Sequence, residues 1–357
     1  MAGEVKVFTQ MDKWQKIVGG TSDSIPDDVL LVNVCYDKVQ VPYYVDGMQV
    51  GTITATDRQK LLSMLQAMKE AQTYRYVMLD VNFERGISTP YDSALFRCIE
   101  DMPRIVIPQH SDCLMADSAL LAKSAYADFS TTYKAQNFSR FQYLQEGTES
   151  MPLRMYADLD GGHISKWGPI YTHGGRLCRN GVSLRLPVHM AGEYSADPEL
   201  MRKNFLYLGV DLVDIDSIVP IAEQTAGKIV VVGDFLSDCH NTYVGPQPGS
   251  IICVNAYYAL KGGEHLINWW AELLILLIYA TMAWLVIRGI SIKVRVTHTW
   301  LKVGLLIFGV DAVFCTITIV AYVSFNYMFN AVIPATCYSL LVLALNIYRT
   351  INAQRAK

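Results

Sequence analysis

The pattern of hydrophobic and polar positions divides the chain into two regions. Up to residue 266, short apolar runs alternate with polar stretches, whereas residues 267–357 are mostly apolar. Short apolar runs that end at turn-forming residues are typical of buried strands, and the clearest are residues 29–34, 76–81 and 229–232. We therefore expect one folded domain over residues 1–266 and a membrane region over residues 267–357.

A helix is predicted between the first two of these strands. Apolar residues recur at helical spacing within residues 57–72, and Thr54 or Thr56 is available as the cap. Ahead of this helix, Asp46 and Gly47 between β-prone residues predict a tight hairpin. Strands that are apolar throughout and alternate with helices favour parallel pairing. The predicted fold is therefore α/β with a mostly parallel central sheet. The same patterns predict a further helix and a further strand, over residues 92–99 and 104–107.

Polar side chains follow two of the predicted strands at the points where they end. Asp80 lies at the end of the strand over residues 76–81, and Glu84 follows it. After the strand over residues 229–232 come Asp234, Asp238 and His240. Because the carboxyl ends of parallel strands meet at one edge of a sheet, these side chains are expected to converge on one pocket. Carboxylates together with an imidazole suit a divalent metal or a cationic ligand. The residues specify neither the metal nor any cofactor.

Asn255 is the remaining ligand-binding candidate. It follows a second β-prone run, residues 251–254, and stands where it would cap a short helix that Gly262 and Gly263 close. The predicted order in this stretch is therefore strand, cap and helix.

The same polar residues also have a structural interpretation and a catalytic one. Asp234 and Asp238 can hydrogen-bond backbone groups of their own loop while His240 packs over it. Catalysis would need a recognisable motif, and the chain has no G-x-S-x-G, H-E-x-x-H, P-loop or G-x-G-x-x-G. We therefore do not expect an enzyme. A membrane-anchored, metal-dependent hydrolase is the enzymatic alternative.

Three apolar segments in the second region are long enough to cross a bilayer, over residues 269–287, 303–325 and 328–348. The loop after the first of them carries basic residues, namely Arg288, Lys293, Arg295 and Lys302. The positive-inside rule places such a loop in the cytoplasm and the preceding domain outside it. No apolar segment precedes that domain, so we expect a leading transmembrane helix that is missing upstream of Met1.

One ionisable residue, Asp311, falls inside the second predicted span. A carboxyl group in hydrocarbon is costly unless it is protonated or paired. We therefore expect Asp311 to contact a polar group on its own helix or the next one. Ion or proton conduction is the alternative.

The charge balance excludes one class of partner. The formal net charge is -3, and the basic residues form no dense stripe outside the membrane-flanking loops. A protein that binds nucleic acid needs a basic footprint on its surface. Nucleic acid is therefore excluded as a partner.

Several short motifs resemble the end of a CHASE2 domain, in particular the Bacteroidetes versions of this family. They are G-K-I-V-V-V-G-D from Gly227, D-C-H-N-T-Y from Asp238, the Pro248-Gly249 pair, and N-A-Y-x-A-L from Asn255, with three apolar segments after them. Further upstream, residues 27–34 and 76–84 also match.

The resemblance implies an extracytoplasmic sensor domain of a bacterial signalling protein in the cytoplasmic membrane, and it lends no catalytic residues. Relatives continue into a kinase, cyclase or phosphodiesterase, whereas this chain stops soon after its last predicted span. We therefore expect the signal to pass to a separate membrane or cytoplasmic protein. A structural subunit of a membrane complex is the alternative, and self-association is left open.

Overall fold

The computed structural model describes residues 25–111, 114–128, 140–183, 186, 188, 204–214, 220–242 and 245–288, with scattered helical positions at 338, 340–341, 344–345, 347–348 and 351–352. The described residues fall into two compact units, which meet in sequence between Leu266 and Ile267. The first unit is called the α/β domain below.

A six-stranded sheet forms the centre of the described part of the α/β domain. Every strand pair in it is parallel, which confirms the predicted α/β fold with a mostly parallel central sheet. Its strands, in spatial order, are β14 (Phe205–Tyr207), β1 (Val29–Asn33), β15 (Ile229–Gly233), β4 (Tyr76–Leu79), β5 (Ile105–Gln109) and β6 (Ser124–Tyr126).

Strand β15 lies between β1 and β4, although it follows them by about half of the chain. Val231 lies opposite Leu31 on one side and Met78 on the other. All five residues of β15 are buried, because both faces of the sheet are covered by helices. Strands β1 and β4 therefore run in the same direction but do not pair with each other, because β15 lies between them.

Two layers of helices cover the sheet. On one face, α1 (Arg58–Ala71) and α2 (Asp92–Asp101) share an apolar core with alternate strand residues such as Val232 and Leu79. Helix α3 (Met151–Asp160) contacts β4 and β5, and α5 (Gly249–Lys261) contacts β15 and α3. Three shorter helical segments complete this part of the domain, namely a 3-10 helix (Ser118–Lys123), a π-helix (Leu208–Val213) and α4 (Ile221–Gln224).

Short antiparallel sheets surround this core. The predicted hairpin is confirmed, since Asp46 and Gly47 join β2 and β3 with φ angles of 51° and 80°, as a type I′ turn requires. The small sheets consist of β2 (Lys38–Val45) with β3 (Met48–Thr56), β7 (Arg140–Gln142) with β13 (Gly181–Ser183), β8 (Leu144–Gln145) with β9 (Thr148–Glu149), β10 (Ile164–Trp167) with β11 (Ile170–His173) and β12 (Arg176–Cys178), and β16 (Cys239–Thr242) with β17 (Gly245–Pro248).

The predicted cap of α1 was wrong. Thr54 and Thr56 belong to β3, where both pair with β2. The cap is Asp57, whose carboxylate accepts hydrogen bonds from the backbone N–H groups of Gln59 and Lys60. A side chain that directly precedes the helix reaches these groups, whereas those of a strand point away from them.

The predicted strand over residues 251–254 was also wrong. Helix α5 begins at Gly249, so these residues are helical and Asn255 lies inside the helix rather than at its cap. The physical reason is burial on nearly every side, since all residues of α5 up to Tyr257 are buried. A helix buried all round lacks the polar stripe that distinguishes helical from strand periodicity.

Helix α6 (Trp269–Ile287) forms over the first predicted span. None of the helices in the described part of the chain meets the combined requirements of length and apolar content for crossing a bilayer. The second predicted span, with Asp311, and most of the third lie outside the described residues.

Candidate functional site

A cavity of about 450 Å³ lies at the carboxyl edge of the central sheet. Its polar lining comprises three aspartates, two histidines and two further residues, namely Asp80, Asp128, Asp238, His110, His240, Asn82 and Cys253. Ala127 and Met151 contribute apolar surface. Most of these side chains come from different segments of the chain, so the cavity exists only in the folded domain.

The sheet order explains why these residues meet. Asp80 directly follows β4, His110 directly follows β5, and Asp128 follows β6 by two positions. These three strands are neighbours and run in the same direction, so their ends share one edge. Asp238 and His240 arrive from the turn after β15 and from β16.

Asp80 has a carboxyl group with no hydrogen-bond partner among the described residues. Its backbone N–H continues the ladder to β15 by donating to Val232 O at 2.7 Å, which fixes the side chain at the cavity. Desolvation by the surrounding protein raises the pKa of Asp80 from 3.8 to about 7, and negative charge on Asp238 adds to this while His110 opposes it. Asp80 is therefore close to half protonated at neutral pH.

His110 and Asp128 form a hydrogen-bonded pair. The Nδ1 atom of His110 lies 2.6 Å from Oδ1 of Asp128, and Ser111 donates its backbone N–H to the other carboxylate oxygen at 2.8 Å. Burial alone would raise the pKa of Asp128, but hydrogen bonds from Ser111, His110 and Tyr126 outweigh it and lower the pKa to about 2. Asp128 is therefore a permanent negative charge that orients the imidazole.

The opposite side of the cavity is built around the start of α5. His240 Nε2 lies 3.5 Å from Oδ1 of Asp238, and Asp238 O accepts the backbone N–H of Gly249 at 3.1 Å. A Cβ atom on Gly249 would lie 3.3 Å from Oδ2 of Asp238 and from Nε2 of His240. The missing side chain at the first residue of α5 thus leaves room for both groups.

Asp234 serves a different purpose from the other loop residues. One carboxylate oxygen accepts backbone N–H groups of Leu236 at 3.1 Å and Ser237 at 2.8 Å, and the other lies 3.2 Å from Lys38 Nζ. Burial raises the pKa of Asp234, yet these donors lower it more, so the net shift is downward. The structural interpretation holds for Asp234, whereas Asp238 and His240 line the cavity.

Two other predicted candidates lie away from the cavity lining. A carboxylate oxygen of Glu84 lies 3.5 Å from the hydroxyl group of Tyr43, which belongs to the β2–β3 hairpin. Asn255 is buried, and its amide exchanges hydrogen bonds of 3.0 and 2.6 Å with the backbone of Val188. Asn255 therefore holds structure together, whereas Glu84 lies beside the hairpin.

Sequence reasoning missed His110, Asp128, Asn82 and Cys253. The position of His110 soon after the predicted strand over residues 104–107 was a usable signal, and Asn82 follows its strand in the same way. Asp128 carried no signal, because β6 is only three residues long. Cys253 was hidden by the wrong assignment of its segment to a strand.

Within the part of the chain that the structure describes, no group of three or more His, Cys, Asp or Glu residues is arranged to hold a metal ion. Comparisons with protein-family models, with curated proteins and with solved structures found no match for this chain. The likeness to CHASE2 domains therefore rests on the short motifs quoted above.

Proposed function

We propose that the chain is a membrane-bound, extracytoplasmic sensor of the CHASE2 type, whose α/β domain binds a small organic cation in the cavity and passes its bound state to a separate membrane or cytoplasmic protein. The observation that carries the ligand class is the convergence of Asp80, Asp128 and Asp238 on one space of about 450 Å³. Ligand cavities in proteins commonly have volumes in this range, roughly 300 to 1,000 Å³.

The lining favours a cation with a hydrocarbon part. Asp128 is ionised at any physiological pH, and the cavity brings further carboxyl groups close to it, so the local potential attracts positive charge. Oxygens of Asp80 can accept hydrogen bonds from an ammonium group. Buried Ala127 and Met151 offer apolar contact to a carbon chain, which a bare metal ion would not use.

Chain connectivity supports a route for the signal. Helix α5 begins at Gly249 beside Asp238 and ends at Lys261, and the chain then reaches α6 at Trp269. A ligand that draws Asp238 into the cavity would act on the first turn of α5. The proposed membrane attachment rests on the sequence alone, namely on the three apolar segments over residues 269–287, 303–325 and 328–348 and on the basic loop after the first of them.

The test is a thermal-shift and calorimetric survey of the purified chain, residues 1–357, with primary amines, diamines and quaternary amines, and with Zn²⁺, Ca²⁺ and Mg²⁺ in parallel. We expect an amine to raise the melting temperature and Asp238→Asn to weaken that effect at least tenfold in affinity. Asp101→Asn is the matched control, because Asp101 pairs with Lys69 on an exposed surface.

If only metal ions raise the melting temperature of the protein, the ligand of the cavity is a metal ion and the proposed organic cation is wrong. An equal response of Asp238→Asn, or no response to any cation, would overturn it. Co-purification with neighbours at fixed stoichiometry, without any ligand response, would favour the structural subunit of a membrane complex.

A further inference from the structure

Two histidines contact each other at the end of the α/β domain. His173 is the last residue of β11, and His265 lies in the short segment between α5 and α6. Nδ1 of His173 is 2.7 Å from Nε2 of His265, and the rings stack with centroids 4.8 Å apart. His265 is completely buried, and its other ring nitrogen has no hydrogen-bond partner.

Aromatic side chains enclose the pair. The ring of Tyr156 meets His173 edge-on at 5.5 Å, and that of Tyr143 meets His265 edge-on at 6.2 Å. Gly162 completes the enclosure, since a Cβ atom there would lie 2.8 Å from Nε2 of His173. The pair is therefore held in one geometry by close packing.

The charged groups that face the pair oppose its protonation. Arg176, on β12, acts on both imidazoles, and His163, just before β10, acts on His173. The carboxylate of Glu149 lies 3.6 Å from the ring of His163 rather than against the pair. A positive charge on His173 or His265 would thus be desolvated and would face other cations.

The number of protons on the two rings determines the stability of the pair, and the neutral form is the most stable. Two neutral imidazoles share one N–H···N bond. A first added proton must go to a nitrogen outside this bond, where it creates a buried charge without a carboxylate partner. A second would set two N–H groups against each other, and the bond would be lost.

The backbone next to His265 is tied to β12. His265 O accepts the backbone N–H of Arg179 at 2.9 Å, and Leu266 forms an antiparallel bridge with Cys178. We propose that His173 and His265 form a proton-sensitive latch, which pins the segment leading to α6 against β12 at neutral pH and releases it in acid. This latch does not depend on a ligand in the cavity, so acid would be a second input to the same chain.

The electrostatic environment agrees with this geometry. Burial lowers the pKa of His265 to about 4 and also lowers that of His173, and the neighbouring cations contribute in the same direction. Both rings are therefore neutral at neutral pH, and their protonation is linked to release of the segment.

Hydrogen–deuterium exchange of the chain of residues 1–357 at pH 7 and pH 4.5, corrected for the intrinsic pH dependence of exchange, tests the latch. We expect residues 264–266 and 176–179 to gain on the order of tenfold in exchange at pH 4.5, as linkage to a depressed histidine pKa requires. Strand β15, at the centre of the sheet, serves as the internal reference. Unchanged exchange of both segments in the unmodified protein would overturn the latch.

Two variants locate the response. His265→Phe keeps an aromatic ring and removes the more deeply buried imidazole, while His173 can still titrate, so its exchange should differ far less between the two pH values than that of the unmodified protein. His163→Gln removes a nearby histidine outside the pair and should keep the response. An acid response of undiminished size in His265→Phe would refute the assignment to this pair. If His265→Phe does not fold, His173→Phe provides the same comparison, and the unmodified protein alone decides if neither folds.

Discussion

The Nδ1 atom of His110 lies 2.6 Å from a carboxylate oxygen of Asp128. Because the pKa of Asp128 is about 2, the carboxylate is ionised, and a neutral His110 then carries its proton on Nδ1. Its Nε2 atom is consequently an acceptor. The cavity therefore offers acceptors from at least two sides, which suits a ligand with several N–H groups.

Asp80→Asn should change the pH dependence of cation binding. With a pKa of about 7, Asp80 gains its charge as the pH rises through neutrality, so affinity should increase between pH 6 and pH 8 and level off above. Isothermal titration across this range measures it, and Asp80→Asn should give a flat, weaker profile. A profile in the variant that still rises with pH would assign the titration to another group.

The same substitution should stabilise the domain at high pH. The pKa of Asp80 in the folded state is raised above 3.8, so the folded state binds the proton more tightly than the unfolded state does. The stability that this proton contributes is lost as the pH rises through about 7. At pH 8 the cost is at most about 4.5 kcal/mol, taking about 1.4 kcal/mol for each pH unit between the two values. Melting of Asp80→Asn at pH 8 should therefore occur at a higher temperature than that of the unmodified chain, and a lower one would contradict the assigned desolvation.

Asp234→Ala and Asp238→Ala should separate structure from binding. Loss of the Asp234 carboxylate leaves the N–H groups of Leu236 and Ser237 without their acceptor, at a cost of roughly 1 to 3 kcal/mol. Asp238 is exposed, so its replacement should change the free energy of unfolding by less than about 0.5 kcal/mol. Chemical denaturation measures both, and equal losses of stability would remove the distinction.

Gly209→Ala should destabilise the domain because the space beside Gly209 is filled by charged groups. Its backbone N–H donates to Asp37, and a Cβ atom would lie 2.3 Å from Asp37 Oδ1 and 2.6 Å from Lys60 Nζ. Lys60 also pairs with Asp214, so it cannot move away without loss. We expect a cost of roughly 1 to 3 kcal/mol. Gly51→Ala is the control, since nothing lies within 4 Å of a Cβ atom there, and an equal effect would argue against crowding.

Cys239 provides a native reporter for the proposed membrane orientation. Cys239 is an exposed residue, and desolvation of its thiol, with nearby Asp238 and Asp234, raises the thiol pKa, so labelling at neutral pH should be slow. A membrane-impermeant maleimide should label the protein in intact spheroplasts, and Cys239→Ser should be labelled less than the unmodified protein. Labelling only after the membrane is broken would reverse the orientation.

The sequence predicted those elements whose local pattern agrees with their environment. Helix α1 has polar residues on one side, so its periodicity was visible, and the hairpin at Asp46 is a local turn. Helix α5 was mistaken for a strand because burial removed its polar side. The place of β15 between β1 and β4 depends on contacts between distant segments, which no local pattern encodes.

The candidate site shows the same division. Asp80, Asp238 and His240 were predicted because they follow strands with clear apolar runs. Asp128 was not, because its strand is short and the stretch before it has no clear periodicity. Glu84 and Asn255 have suitable side chains and suitable positions in sequence, yet Glu84 lies beside the hairpin and Asn255 is occupied by a structural contact to Val188.

The central position of β15 also governs the order in which the domain can assemble during synthesis. Until residues 229–233 have emerged from the ribosome, β1 and β4 have no strand between them, and their facing backbone edges stay unpaired. The helices that cover these strands would meanwhile have no completed surface to pack on. The growing chain therefore remains unfinished, and exposed to wrong pairing, until most of the domain has been translated.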